Sequence, residues 1–194
     1  MINQIKRSID DGIQLVQQFS ENSTELKKIE VIAQQMVSCF QNGNKIIICG
    51  NGGSACDAMH FSEEFTGRFR KDRKALPVIS LTDASHITCV GNDYGFDYVF
   101  SRGVEAYGKP GDIFIGLSTS GMSKNVINAY QEAKKLGLHT CLFLGKDGGD
   151  LAGRADAEFV IPGKTSDRIQ EVHMMILHII IEMFEREMFG ELYG

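Results

Sequence analysis

Two loops rich in glycine and hydroxyl side chains follow buried strands of the predicted fold and could bind an anion. The first loop, Gly50–Ser54, follows the apolar run Lys45–Cys49, and the second loop, Ser118–Ser123, follows Asp112–Leu117. A loop between a strand and a helix directs backbone N–H groups toward one point, and the helix dipole adds partial positive charge there. We therefore predict that the two loops bind a phosphorylated small molecule.

Hydroxyl side chains are unusually dense in the second loop. A single hydroxyl would suffice to cap the helix that follows, and Ser and Thr are preferred caps. Four hydroxyls around Gly121 favour a phosphate site over a simple cap. They belong to Ser118, Thr119, Ser120 and Ser123.

The first loop also matches a version of the dinucleotide fingerprint, Gly50-x-Gly52-x-x-Ala55. That fingerprint requires an acidic residue about 20 positions further on, at the end of the second strand. Here the second strand ends at Leu81, with Asp83 beyond it. The crossover is therefore too long, the second loop would have no role, and nicotinamide binding is disfavoured.

Residues suited to acid–base chemistry lie on the predicted helices. His60 and Glu64 are four residues apart and share one helix face, although an exposed helical pair without function would have the same spacing. His178 lies in a very apolar helix, where a histidine is often a core residue; Glu182 is a candidate hydrogen-bond partner. Gln170 precedes His178 by about 12 Å along the same helix, so both could bind one ion only if a neighbouring subunit supplied one of them.

Composition limits the class of protein. The chain has 194 residues, a net charge of −5, a hydrophobic share of 43% and a charged share of 23%, which fits one globular domain and disfavours general nucleic-acid binding. The basic run Arg68–Lys74 is interpreted as a solvated loop rather than a substrate-steering patch. The N-terminus lacks the apolar core of a signal peptide, and no run approaches the roughly 20 apolar residues of a membrane span. We expect a cytoplasmic protein that binds neither nucleic acid nor membrane.

The cysteines are expected to be reduced. They are five in number and form no C-x-x-C pair, and Cys49 and Cys141 lie within strand-like apolar runs. Cys56, just after the first loop, could be a catalytic thiol, but nothing in the sequence provides a base to activate it.

Apolar patterning predicts an α/β fold, a three-layer α/β/α sandwich with a five-stranded parallel sheet of flavodoxin-like type, because helices alternate with continuously apolar strands. Ligands of such sheets bind beyond the carboxyl ends of the strands, where both loops lie. The strands are predicted at 45–49, 77–81, 112–117, 139–144 and 158–162. The helices are predicted at 2–19, from about 24 to 43, at 54–67, in short stretches over 84–107, at 123–136 and at 166–189.

The terminal helices carry more apolar surface than a minimal three-layer domain needs. We predict one domain over 1–194 in which a helical pair, 1–43, packs on the domain and on neighbouring subunits. The final helix is apolar nearly all round over 173–189, which indicates burial on all sides, partly against other subunits.

Four separated segments together resemble the signature of phosphoheptose isomerases, which are sugar isomerase (SIS) domains of similar length. The segments are Cys49–Glu64, Ser85–Asp93, Ser118–Ser123 and Asp167–His173, the last followed by His178. One departure is Ala55, where some relatives have a histidine, and no assigned role depends on it.

The resemblance implies conversion of D-sedoheptulose 7-phosphate to D-glycero-D-manno-heptose 7-phosphate, an early step toward bacterial surface polysaccharides. It implies Glu64 as base, His178 as acid, and a homotetramer with active sites between subunits. It also implies one zinc ion per subunit, held by His60, Glu64, Gln170 and His178. Substrate contacts are implied for Asn51, Gly52, Gly53, Glu64, Asn92, Asp93, Ser118, Thr119, Ser120, Ser123 and Gln170.

The implied chemistry suits these residue types. Aldose–ketose isomerisation moves a proton between C1 and C2 through an enediol, so one carboxylate can take and return it while imidazole serves the neighbouring oxygens. A zinc-bound glutamate is a poorer base and glutamine is an uncommon zinc ligand. The metal could therefore organise the site, polarise the sugar oxygens or move during turnover. SIS domains also act as sugar-phosphate sensors, and a related bacterial adaptor binds the replication initiator; that adaptor has other residues at the places of Glu64 and His178.

Overall fold

Five parallel strands form the central sheet of the computed structural model, which describes residues 1–193. The strand order is β2-β1-β3-β4-β5, and every neighbouring pair is parallel. All residues of β1 and β3 are buried, as the unbroken apolar runs predicted. The strands are β1 (Ile46–Gly50), β2 (Val78–Ser80), β3 (Ile113–Ser118), β4 (His139–Gly145) and β5 (Ala157–Ile161).

Within the described residues 1–193, seven α-helices connect and cover the strands, close to the predicted positions. The predicted helical stretches over 84–107 resolve into two helices separated by a 3₁₀ turn at Phe96–Tyr98. The helices are α1 (Ile2–Ser20), α2 (Ser23–Gln41), α3 (Gly53–Thr66), α4 (Ala84–Asp93), α5 (Ser101–Tyr107), α6 (Lys124–Lys135) and α7 (Ser166–Met188). Further 3₁₀ turns occur at Gly149–Leu151 and Gly190–Leu192.

Two hydrophobic cores lie on opposite faces of the sheet. Alternate residues of β1 point to opposite faces: Ile46 and Ile48 pack with α2, α3 and α7, whereas Ile47 and Cys49 pack with α4, α5 and α6. The three-layer α/β/α architecture is thereby confirmed.

The two apolar terminal helices differ in how far the chain itself covers them. Helix α7 packs against α2, and its residues Ile176, Leu177 and Ile180 are fully buried. Helix α1 buries only Phe19, and an apolar stripe along it stays exposed. We call this the α1 stripe; it consists of Ile2, Ile5, Ile9, Ile13 and Val16. Within residues 1–193, none of the helices combines the length and the apolar character needed to cross a membrane.

Candidate active site

Three side-chain pairs join the two loops to the helices that begin beside them. Each pair links segments distant in sequence, at the edge of the sheet where the strands end. The pairs are Asn51 with Asn125 (2.9 and 2.8 Å), Gln170 Nε2 with Ser54 Oγ (3.1 Å) and Thr119 Oγ1 with Ser166 Oγ (3.0 Å). The starts of α3, α6 and α7 are thereby held together around the two loops.

Three of the helices that begin at this edge lack side-chain caps. The cap residues of α3, α6 and α7 are Gly52, Ser123 and Thr165, and none accepts a hydrogen bond from the first turn through its side chain. Asn22 caps α2, and Asp83 caps α4, which begins after β2 at the same edge of the sheet. The positive dipole ends of these helices suit an anion, although the Ser54 and Ala55 N–H groups of α3 are bonded to loop carbonyl oxygens. The hydroxyl of Ser123 is not used as a cap, which removes the simpler explanation of the second loop.

The hydroxyls of the second loop lie close to one another. Ser118 Oγ donates to Ser123 Oγ at 3.1 Å, and Ser120 Oγ accepts from the Met122 N–H at 3.2 Å. Gly121 has a φ of 64°, and a Cβ there would lie 1.8 Å from the Gly148 carbonyl oxygen, so only glycine allows this turn. The loop is therefore a compact cradle fixed from outside by the Gly148 backbone.

A second group of polar side chains lies on α3 and α7. His60 Nε2 is 3.2 Å from Glu64 Oε1 and 3.0 Å from His178 Nε2. Phe69 stacks on the His178 ring, with centroids 5.9 Å apart. We call this group the His60–Glu64–His178 cluster; the sequence predicted each member, and the fold brings all three together.

The donor set of this cluster fits a metal ion. One ligand atom from each residue lies within 4.8 Å of the other two. Two imidazoles and a carboxylate thus lie within reach of one point, and these are donor types that zinc prefers. Imidazole also suits iron, copper and nickel, so the geometry favours a transition metal or zinc without distinguishing among them.

Burial shifts the pKa values of the acid–base groups in and near this cluster. Burial, together with the neighbouring Glu63 carboxylate, raises the pKa of Glu64. Burial and the nearby His60 lower the pKa of His178. Asp57, one turn before His60, has a pKa raised by burial to about 6, and its Oδ2 is buried without a hydrogen-bond partner among the described residues. Sequence reasoning did not identify Asp57, whose only signal is its spacing of three residues from His60.

The cluster and the first loop lie at different heights along α3 and α7. Gln170 bonds to Ser54 at the start of both helices, whereas His178 and His60 meet about 9–12 Å further along. Gln170 and His178 of one chain therefore cannot bind the same ion. The cluster lies on the outer surface of the helical layer, where the His60 side chain is 48% exposed.

The remaining predicted substrate contacts lie at the protein surface. Asn92 and Asp93 are exposed at the end of α4, and the Asn92 side chain donates to Asp93 Oδ1 at 2.7 Å. Gly52 and Gly53 are exposed at the start of α3. A Cβ on Gly53 would lie 2.6 Å from Gln170 Oε1, so the absence of a side chain there lets Gln170 reach the first loop.

The interpretation of the basic run as a solvated loop is wrong for Arg73. Its side chain is 1% exposed and pairs with the fully buried Glu185, with 2.9 Å between Nε and Oε1. Arg73 also donates to the carbonyl oxygens of Glu64 and Phe65, each at 2.7 Å. It therefore fixes the end of α3 that carries Glu64. No local pattern could have identified this pairing, because Arg73 and Glu185 are 112 residues apart.

The suggested partner of His178 is also different. Glu182 is engaged by Arg70 at 2.8 Å and by Arg186 at 3.0 Å. His178 instead faces His60. It is therefore available to the site rather than held as a core histidine.

Comparisons with known proteins identify the family. The family model described as "SIS domain" matches residues 9–145. The chain is 64% identical to a phosphoheptose isomerase of Fusobacterium nucleatum, over 93% of each chain, and 48% identical to one of Vibrio cholerae, over 95% of this chain and 97% of that one. Its fold superposes on the phosphoheptose isomerase GmhA of Neisseria gonorrhoeae with a TM-score of 0.88 and 36% identity, covering 94% of this chain and 97% of the other. The chain belongs to the SIS domain family and, within it, to the phosphoheptose isomerases.

Proposed function

We propose that the chain interconverts D-sedoheptulose 7-phosphate and D-glycero-D-manno-heptose 7-phosphate. The observation that carries the proposal is the meeting of Glu64 and His178, the implied base and acid, on a chain 64% identical to a phosphoheptose isomerase. A sensor or adaptor would not need this pair. We further propose that the enzyme acts in the cytoplasm and supplies a precursor of bacterial surface polysaccharide.

Glu64 is assigned as the base that moves the proton between C1 and C2. Its side chain is 14% exposed, and its raised pKa gives it a higher proton affinity than an exposed glutamate has. His178, whose pKa is lowered, is assigned to transfer protons at the neighbouring oxygens. Arg73 donates a hydrogen bond to the Glu64 carbonyl oxygen and thereby limits the movement of Glu64.

The phosphate is assigned to the second loop. Ser118, Thr119, Ser120 and Ser123 supply hydroxyls, and the uncapped start of α6 supplies N–H groups. Asn51, Gly52 and Gly53 belong to the adjoining first loop, and Gln170 is bonded to it through Ser54. These four residues are assigned to the sugar, with Asn92 and Asp93 at the surface. Binding at these groups contributes positioning rather than bond chemistry.

One zinc ion per subunit is proposed, held by His60, Glu64 and His178, with Gln170 from a neighbouring subunit as a fourth ligand. The convergence of three donor atoms within 4.8 Å supports this assignment. When bound, such an ion would act as a Lewis acid that polarises sugar oxygens. The separation of Gln170 from His178 within one chain is the reason for assigning it to a neighbour.

A homotetramer with active sites at subunit interfaces is proposed. The α1 stripe supports it, because the exposed fractions of Ile2 and Ile9 are 74% and 57%, which is costly for an isolated chain. A groove of about 440 Å³ between α2 and α7, with Ile29, Ala33 and Met183 on its walls, offers apolar surface for such a helix. Assembly would also bring one subunit's exposed His60–Glu64–His178 cluster near another subunit's loops.

Turnover of sedoheptulose 7-phosphate by the purified chain tests the proposed reaction. We expect formation of the heptose phosphate, loss of activity after chelation and recovery with added zinc. Activity that survives complete metal removal would reject a catalytic role for the ion but keep the reaction. Binding of the sugar phosphate without conversion, in the presence or absence of zinc, would reject the isomerase assignment in favour of a sensor.

A further inference from the structure

A partly buried amide pair connects the two ligand loops. Asn51, in the first loop, donates from Nδ2 to Asn125 Oδ1 at 2.9 Å, and Asn125 donates from Nδ2 to Asn51 Oδ1 at 2.8 Å. Asn125 lies in the first turn of α6, directly after the second loop, and is 3% exposed. The pair therefore joins the first loop to the helix start that carries the second loop.

The orientation of the Asn125 amide is fixed by a third hydrogen bond. Asn125 Oδ1 also accepts from the Val126 N–H at 3.0 Å. This bond identifies Oδ1 as the Asn125 atom nearer the helix backbone, so Nδ2 is the atom that donates to Asn51 Oδ1, and the Asn51 amide takes the complementary orientation. Each side chain thus directs the other, and a change at either one disrupts both hydrogen bonds.

The pairing of β1 with β3 defines where the amide pair lies. β1 and β3 are neighbours, with Gly50 opposite Leu117, so the two loops leave the sheet side by side. In the part of the chain that the structure describes, the pairing of β1 with β3 ends at these residues, and the amide pair joins the two loops beyond it. A seven-carbon phosphate that contacts both loops requires their spacing to be constant.

We propose that Asn51 and Asn125 are positioning residues that hold the sugar loop at a fixed distance from the phosphate loop. The Asn51 side chain acts through Asn125, rather than as an independent contact to the sugar. This inference rests on the proposed function. It assigns a role to Asn125 and changes the role that the family resemblance implies for the Asn51 side chain.

A double-mutant cycle tests this inference. The variants are Asn51→Ala, Asn125→Ala and the double variant, measured for kcat and KM with sedoheptulose 7-phosphate and for competitive inhibition by inorganic phosphate. Each single variant should lower kcat/KM about 10–100-fold, since misplacement of a substrate by about 1 Å has that cost. The kcat/KM of the double variant should stay within about threefold of that of the less active single variant, because the two residues act as one unit. The inhibition constant of inorganic phosphate should change little, since the second loop keeps its own contacts.

Two controls separate positioning from general loss of structure. Asn128→Ala removes an asparagine from the same helix that bonds to the Asp97 carbonyl, and it should leave kcat/KM unchanged. Asn125→Asp keeps an acceptor for the Val126 N–H but sets a carboxylate oxygen against Asn51 Oδ1. It should therefore reproduce the Asn125→Ala defect in a folded protein, even if the alanine variant does not fold.

The inference is overturned if the losses of the two single variants multiply in the double variant, because Asn51 would then contact the sugar independently. It is also overturned if phosphate inhibition and melting temperature fall in parallel with kcat/KM. If the wild-type chain neither converts nor binds the sugar phosphate, the proposed function fails and the inference fails with it. If the wild type is active and the losses of kcat/KM in the two single variants multiply in the double variant, the inference fails but the proposed function stands.

Discussion

Two polar clusters of this molecule differ in how fully their hydrogen-bonding groups are paired within the chain. At the amino ends of the strands, Asp112 is fully buried and accepts hydrogen bonds from the Lys45 N–H at 3.0 Å, the Lys45 ammonium at 2.5 Å and the Lys109 N–H at 2.9 Å. On α3 and α7, His60 and His178 point two ring nitrogens at each other, 3.0 Å apart and open to solvent.

The difference lies in the balance of donors and acceptors. The Asp112 carboxylate meets three N–H donors, so its charge is compensated within the chain and nothing else is needed. The His60–Glu64–His178 cluster places two imidazoles and a carboxylate within 4.8 Å of one another without an Arg or Lys of the described residues bonded to them, and this suits a cation or a substrate. The first cluster holds the fold together, whereas the second is free to do chemistry.

The largest effect that distinguishes the clusters is expected for Glu64→Gln. The amide cannot accept the substrate proton, so kcat should fall by about 10⁴-fold, the upper end for a general base. Melting temperature and phosphate inhibition should stay close to those of the wild type. Turnover and thermal unfolding of the same preparation measure both.

Glu63→Gln is the matched control, since the Glu63 side chain is 62% exposed and its Oε1 is 4.0 Å from His60 Nδ1. Its kcat should remain within about twofold of the wild type. Substantial turnover by Glu64→Gln would remove Glu64 as the base.

Asp112→Ala should show the opposite pattern. Loss of the carboxylate leaves two backbone N–H groups and a lysine without their partner, so the free energy of unfolding should fall by about 3 kcal/mol. Turnover per folded molecule should not change. Urea unfolding and an activity assay normalised to folded protein give both values.

Glu105→Ala is the control for this variant, because Glu105 pairs with Arg102 at the surface and should contribute almost nothing. Equal stability losses in the two variants would contradict the structural role of Asp112.

His178→Ala should weaken metal binding. With one of three ligands removed, the dissociation constant of zinc should rise by at least about 100-fold. Competition with a chromophoric chelator, using metal-free protein, measures this directly. His86→Ala, which loses only a hydrogen bond to the Val99 carbonyl, should bind zinc like the wild type. Unchanged affinity in His178→Ala would remove His178 from the metal site.

The smallest effect is expected for a buried histidine on the same helix. His173 is fully buried, bonds to the Leu144 carbonyl at 2.9 Å and has a pKa lowered by burial to about 4. Because the unfolded chain binds this proton more readily, stability is lost as the pH falls from 6.5 toward 4 and is unaffected above that window. At pH 5.5 the loss should be about 1 kcal/mol.

His173→Gln should flatten the stability profile between these pH values, since the amide can still donate to Leu144 but does not titrate. Urea unfolding at a series of pH values, compared with the wild type, measures the slope. Parallel profiles for the two proteins would show that His173 contributes nothing to the acid sensitivity.

The elements themselves were largely predictable from the sequence. Continuous apolar runs determine β1 and β3, and three- and four-residue apolar spacing determines α1 and α2, because these signals are local. The loop composition likewise predicted where the strands end. His60 and Glu64 could be paired because a helix places residues four apart on one face.

Asn125 had a weak local signal that was not used. It shares a helix face with Ala129 and Ala133, which are fully buried, so its burial could have been expected. The pairing of Asn125 with Asn51 could not have been expected, because the two loops are brought together only by the pairing of β1 with β3.

The pairing of several polar side chains depends on the tertiary structure alone. The sequence contains Arg73, Glu185, Glu182 and His178, but only the packing of α3 against α7 decides that Arg73 pairs with Glu185 and that His178 faces His60. These contacts join residues more than a hundred positions apart, and no periodicity carries such information. The sequence by itself determined the strands, the helices and the chemical types at the site; the tertiary structure decided which polar groups are satisfied and which remain free, because that depends on the partners that folding brings within hydrogen-bond distance.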